Sequence, residues 1–165
     1  MILIINTCHD PLLDFEFVKP IEDILTKEKA KFMTVGYHGL NEKDIEKADK
    51  IIITGTSLAD NEFLEYLDDF SWIKNYKKPI LGICGGSHII GHALGCKLKR
   101  KTEIGMKAIT LKENFLGKRK GEKLQVYHLH QYACLPEIFH KNNFYATTFH
   151  PEVRNKDLIA AFVRL

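Results

Sequence analysis

Two short segments carry the residues that could do chemistry. Gly82-Ile83-Cys84-Gly85-Gly86 puts a thiol between small residues, and His150-Pro151-Glu152 lies far downstream. A thiol, an imidazole and a carboxylate that orients the imidazole make a nucleophilic triad, with Cys84, His150 and Glu152 in those roles. A cysteine standing proud of a strand-to-helix corner needs a strained backbone, often with positive φ. Gly82 and Gly86 remove the side chains that would collide there. The helix after the corner points its positive end at the sulfur and favours the thiolate. Pro151 disfavours the α region for His150, so His150 is expected to be extended. Residues i and i+2 of an extended segment share a side, so Glu152 can accept a hydrogen bond from His150. The plainer alternatives are a glycine turn around an inert cysteine and a surface turn with an incidental ion pair. Both motifs must meet for the chemistry to work.

Acyl transfer also needs donors for an oxyanion. The Gly85 N–H is one candidate. The loop Thr54-Gly55-Thr56-Ser57, expected at the same sheet edge, offers Gly55 and Thr56 as others. His88 and His92 lie four apart on the helix after Cys84, but no further ligands are spaced nearby, so helix packing or support of the site is favoured over metal binding. His128 and His130 alternate on an extended segment, and one of them could line the site. No metal and no cofactor are expected.

The elements needed to position these groups follow from the apolar pattern. Ile2–Ile5, Lys31–Val35, Lys50–Thr54 and Pro79–Ile83 read as buried strands, and Asn143–Phe149 as a later one. A helix is expected from Asp14 to about Lys29, with Pro20 near its first turn or kinking it. Asn41 can cap a short helix over Asp44–Lys47, and Asn155 a final helix to about Val163. Asn61–Leu67 and Ser71–Tyr76 read as short helices, and Gly86–Leu94 as a helix closed by Gly95. Extended pieces are expected near Lys97–Lys101, Met106–Leu111 and Lys123–His128, with Gly105, Gly117 and Gly121 in the turns between them. Met106 and the phenylalanines are read as core. The alternation predicts an α/β fold: a doubly wound, mostly parallel sheet with a small antiparallel addition, its site at the carboxyl ends of the strands.

The 165 residues suit one domain over 1–165. A net charge of +3, from 24 basic and 21 acidic residues, is too mild to argue for a nucleic-acid partner. The basic stretches Lys97–Lys101 and Lys118–Lys123 read as solvated edges. No segment approaches the roughly 20 apolar residues of a membrane span. Cys8, Cys84, Cys96 and Cys134 form no C-x-x-C pair, and no secretory signal precedes them, so a reducing cytoplasmic setting is expected.

Taken together, these motifs resemble the class I (triad) glutamine amidotransferases, whose fold is flavodoxin-like. Pro79–Gly86 is similar to that family's nucleophile elbow, and Phe149-His150-Pro151-Glu152-Val153 to its final signature. Ile51-Ile52-Ile53-Thr54-Gly55-Thr56 resembles its strand and oxyanion loop, Glu103-Ile104-Gly105 its Glu-aromatic-Gly element, and His130 with Leu135-Pro136 its Ser-His…Leu-Pro segment. The resemblance implies a glutaminase half-reaction: Cys84 attacks the side-chain amide of glutamine or another γ-glutamyl amide, His150 moves the proton, and Glu152 orients His150. It also implies that Glu103 and His130 help bind substrate, as does His88, which stands where the family elbow has glutamine. Thr56 replaces the second glycine of the family's oxyanion loop. Ammonia would pass to a synthetase, expected on a separate partner subunit. A stand-alone γ-glutamyl hydrolase or peptidase using the same triad is the alternative, and a catalytically silent binding domain a third.

Overall fold

The computed structural model describes residues 1–165. Five parallel strands form the central sheet: β1 (Ile2–Asn6), β2 (Phe32–Gly36), β3 (Lys50–Ile53), β4 (Ile80–Ile83) and β8 (Phe144–Thr147). Antiparallel β7 (Ile138–Lys141) closes one edge, in the order β2-β1-β3-β4-β8-β7. Strands β5 (Lys99–Thr110) and β6 (Lys123–Ala133) pair separately as an antiparallel ribbon. The expected α/β fold, parallel sheet plus small antiparallel addition, is the fold observed.

Branched apolar residues form the central strands because both sheet faces are covered. On β1, Ile2 and Ile4 pack with Phe17, Ile21, Phe149 and Phe162 on one side, while Leu3 and Ile5 pack with Phe63, Phe70 and Ile89 on the other. Each such side chain contributes roughly 1.5–3 kcal/mol by leaving water. Helices α1 (Asp14–Phe17), α2 (Lys19–Lys27) and α5 (Lys156–Val163) serve the first face, and α4 (Gly85–Ala93) the second. Helix α3 (Glu42–Lys47) is capped as expected: Asn41 Oδ1 accepts from the Asp44 N–H at 3.2 Å.

Several local expectations need correction. The helix expected over 14–29 breaks at Val18, and Pro20 opens α2 instead of kinking one long helix. The two short helices expected after Asn61 are present within Glu62–Asn75, but they are of 3-10 type and meet at a kink at Tyr66, where the backbone is not helical. Asn155 precedes α5, yet its side chain makes no capping bond. The pieces near Lys97–Lys101 and Met106–Leu111 belong to one long strand, β5, irregular between Arg100 and Glu103. Gly105 therefore sits within a strand, at φ +97°, and not in a turn. Met106 is 51% exposed and Phe15 77%, so neither is core. Strand β7 carried too little apolar pattern in Ile-Phe-His-Lys to be foreseen.

Register decides what meets at the carboxyl edge. Ile53 pairs with Gly82, and Gly82 with Ala146. The residues just beyond those strand ends are Gly55, Cys84 and His150, so three distant segments converge there.

Candidate active site

Cys84 leaves β4 with φ +46° and ψ −101°, a conformation that costs a side-chain-bearing residue free energy and needs support. Its N–H donates to Thr147 O at 2.8 Å, and its carbonyl accepts from Ser87 N at 2.9 Å and Ser87 Oγ at 2.6 Å. Glycine is required on both sides. A Cβ on Gly82 would lie 2.5 Å from Gly86 O, and a Cβ on Gly86 would lie 2.2 Å from Ile53 O. The Cys84 sulfur sits 3.6 Å from Leu129 O of β6.

His150 is anchored by its N–H, which donates to Tyr127 O at 2.8 Å. Its Nδ1 stands 2.6 Å from Glu152 Oε1, with both side chains wholly buried. A carboxylate can only accept, so the proton belongs on Nδ1 and the Nε2 lone pair is left free, without a hydrogen-bond donor. A Cβ on Gly55 would stand 2.7 Å from His150 Cε1 and 2.9 Å from Cys84 Cβ. Thiol and imidazole thus meet around a position that only glycine leaves open. Burial opposes protonation of His150, but the charges of Cys84 and Glu152 and the hydrogen bond with Glu152 override it and hold the imidazole well above its ordinary value. This arrangement can take a proton from sulfur and return it to a leaving group.

The backbone amides of Gly55, Thr56 and Gly85 donate to no acceptor in the protein. Thr56 and Gly85 share the cavity wall with Cys84. Thr56 Oγ1 donates to Asp60 Oδ2 at 2.7 Å, and the same oxygen accepts from His9 N at 2.8 Å. Thr54 O accepts from Gly86 N at 3.1 Å and from Thr7 Oγ1 at 3.0 Å. These bonds fix the loop's shape with threonine in place of a second glycine.

The cavity over Cys84 is only about 10 Å³, room for one water. Asn61, Phe63, His88, His130 and Gln131 help to enclose it, so a substrate has to displace some of these side chains. A larger cleft, about 440 Å³ beside Tyr37, Tyr66 and Trp72, shares none of these residues and contains no cysteine.

His88 lies buried between the Phe63 ring, stacked at 6.3 Å, and the His130 ring at 6.4 Å. Neither of its ring nitrogens has a hydrogen-bond partner, and burial pushes its pKa down to about 4. His92 turns outward to Asp68 Oδ1 at 3.0 Å, so the two histidines of α4 do not converge. Glu103 stands behind the cavity wall, not on it, 3.3 Å from His130 Nε2. Burial works against its charge, but hydrogen bonds from Lys107 and Lys101 prevail and hold it down at about 2. Phe63, Asn61 and Gln131 were not foreseen. Phe63 lies on a 3-10 segment with no helical period to expose it, whereas Gln131 had one usable signal, its place beside His130.

The family model for class-I glutamine amidotransferases matches residues 11–138. Among curated proteins, the GMP synthase of Thermotoga maritima is 27% identical over 136 residues, covering 69% of this chain and 26% of that protein. The imidazole glycerol phosphate synthase subunit HisH 2 of Campylobacter jejuni is 27% identical, covering 67% of this chain and 74% of that one. Gamma-glutamyl peptidase 4 of Arabidopsis thaliana is 27% identical, covering 72% and 59%. The chain thus spans about a quarter to a third of the GMP synthases it matches. A solved glutamine amidotransferase structure from Thermotoga maritima superposes with a TM-score of 0.72 at 18% identity, covering 92% of this chain and 76% of that one, which shows the shared fold. No helix is long and apolar enough to cross a membrane.

Proposed function

Because the chain belongs to the class-I glutamine amidotransferase family, we propose that it hydrolyses glutamine to glutamate and ammonia through a Cys84 thioester. Cys84 Sγ attacks the amide carbon of the glutamine side chain while its proton passes to His150 Nε2. The amides of Gly85 and of the Gly55–Thr56 loop stabilise the oxyanion. His150 then protonates departing ammonia, and the γ-glutamyl thioester remains. Water, deprotonated by His150, attacks the thioester and releases glutamate and the thiol. Glu152 holds the imidazole in the required tautomer throughout. His130 and His88 help to shape the substrate pocket, and Glu103 acts there through His130. The observation that carries this reading is the meeting of Cys84 and His150 around Gly55, with Glu152 at 2.6 Å behind the imidazole.

Ammonia is passed to a synthetase on a separate subunit. The likeness to HisH, itself named as a synthase subunit, supports this. So do exposed apolar residues close in sequence to groups at the triad: Leu12 and Phe15, which precede Phe17 against the His150 ring, and Val153, which follows Glu152. Residues 1–165 act as one domain, and free thiols at all four cysteines support a reducing cytoplasmic setting.

The alternative, a γ-glutamyl hydrolase or peptidase working without a synthetase, is favoured by one feature. His88 occupies the cavity wall as a neutral, unpartnered imidazole where the family elbow has glutamine. Ammonia release from glutamine, with and without candidate synthetases, separates the readings. Stimulation by a partner supports the first, and turnover of γ-glutamyl peptides alone supports the second. Mass spectrometry of the trapped acyl-enzyme identifies the acyl group. Cys84→Ala is expected to abolish thioester formation without unfolding the chain. Full activity in that variant refutes the mechanism.

A further inference from the structure

The inner face of β6 continues past its core residues Leu124 and Val126 into two buried histidines, His128 and His130. Across the ribbon, Glu103 of β5 pairs with His130. This trio plays no direct part in the chemistry assigned to Cys84. We propose that Glu103, His128 and His130 form a binding site for a divalent cation of the zinc class, a role not expected from the sequence.

The donor atoms are already at ligand spacing. His128 Nδ1 and His130 Nε2 are 3.1 Å apart, His130 Nε2 and Glu103 Oε2 3.3 Å, and His128 Nδ1 and Glu103 Oε2 3.9 Å. Tetrahedral bonds of roughly 2.0–2.1 Å put neighbouring ligands about 3.3 Å apart. A small cation therefore fits with sub-ångström adjustments.

Proton placement points the same way. His130 Nδ1 lies 3.1 Å from Lys101 O. A carbonyl only accepts, so Nδ1 carries the proton and the Nε2 lone pair faces the trio. His128 Nε2 is buried without a hydrogen-bond partner, 3.8 Å from Glu137 Oε1. With its proton on Nε2, His128 turns Nε2–H toward a carboxylate and the Nδ1 lone pair toward the same point as His130 and Glu103. His130 is held as ligating histidines are, with its second ring nitrogen donating to a carbonyl. Three electron-rich atoms then converge with no proton among them, and a cation satisfies all three. The metal-free arrangement needs the opposite tautomer, with His128 Nδ1–H donating to His130 Nε2. It turns the bare His128 Nε2 lone pair toward a carboxylate. Lys101 and Lys107 currently neutralise Glu103, at 3.1 and 3.0 Å. Both are half-exposed side chains on flexible stems, and Lys107 contacts the other carboxylate oxygen, so only Lys101 has to yield.

The site ties β5 to β6 directly behind the His130 wall of the Cys84 cavity, so bound metal fixes that wall. The test is zinc titration of the full-length chain after chelator treatment, in a Cys84→Ala background that removes the thiol as a competing ligand. We expect one zinc per chain by calorimetry and elemental analysis, a cobalt-substituted form with visible ligand-field bands but no thiolate charge transfer, and a raised melting temperature. His128→Gln and Glu103→Gln should each weaken binding by about 100-fold or more, given that losing outer-shell partners alone costs 10–100-fold. Each variant's fold is checked by circular dichroism, and either one alone carries the test if the other fails to fold. His38→Ala, in the exposed His9–His38–Glu62 cluster, should leave binding intact. No stoichiometric binding, binding that survives the folded site variants, or binding lost with His38→Ala overturns the proposal.

Discussion

Gly55→Ala isolates the contact on which the catalytic reading depends. Gly55 does not have a positive φ, so alanine brings no backbone strain of its own. The new methyl would nevertheless lie 2.7 Å from His150 Cε1 and 2.9 Å from Cys84 Cβ, where ordinary contact begins near 3.4 Å. The imidazole must therefore retreat by at least ~0.7 Å and the cysteine by ~0.5 Å, or the loop must shift as a whole. A misplacement of about 1 Å between reacting groups costs on the order of 10²-fold in rate. Overpacking of a tight site adds roughly 1–3 kcal/mol of destabilisation. The expected result is a kcat on glutamine, or on the γ-glutamyl substrate actually used, lowered by about 100-fold in a chain that still unfolds cooperatively. Steady-state kinetics and urea denaturation of the same preparation measure both effects. Gly39→Ala is the control, since its Cβ meets only Val35 Cγ1, at 3.7 Å. A Gly55→Ala enzyme within threefold of the parent kcat would refute the idea that Cys84 and His150 work as a pair across this glycine.

Glu152→Gln should keep the shape of the buried pair but lose its charge. An amide can present NH₂ to His150 Nδ1 and reverse the tautomer, so kcat is expected to fall by about 10³–10⁴ with little change in KM, as in triads whose carboxylate is replaced by its amide. Steady-state kinetics test this, and recovery of full kcat with Gln would remove Glu152 from the mechanism. The raised pKa of His150 has a stability consequence of definite sign. Its protonated form stabilises the fold fully below the unfolded-state value of 6.5, and that contribution is lost as pH rises through the higher folded-state value. Cys84→Ala removes the largest influence holding His150 up, so its urea midpoint should fall less steeply between neutral and alkaline pH than the parent's. Parallel midpoint curves for the two proteins would contradict this origin.

Much of the site could be read from the chain because its requirements are local. A cysteine between glycines at a strand end dictates a corner, and a proline after His150 dictates an extended segment that aims His150 and Glu152 to one side. The alternation of branched apolar strands with helical stretches fixed the class of fold, since period and length are properties of neighbouring residues. The β5–β6 ribbon was less legible. The polar residues of β5 look like separate pieces until they pair with β6, and Gly105 and Met106 take their surroundings from that pairing alone.

Position along the chain could not say which distant groups would meet. Register brought Gly55, Cys84 and His150 to one edge, and it set Glu103 opposite His130 and so beside His128. It also turned His88 inward and His92 out to Asp68, although both sit on one short helix. Residue type supplies the reactive atom, but its protonation and reach depend on what lies within a few ångströms. Those neighbours are chosen by strand pairing and core packing between segments far apart in the chain, so the chemistry was written in the sequence and its assembly only in the fold.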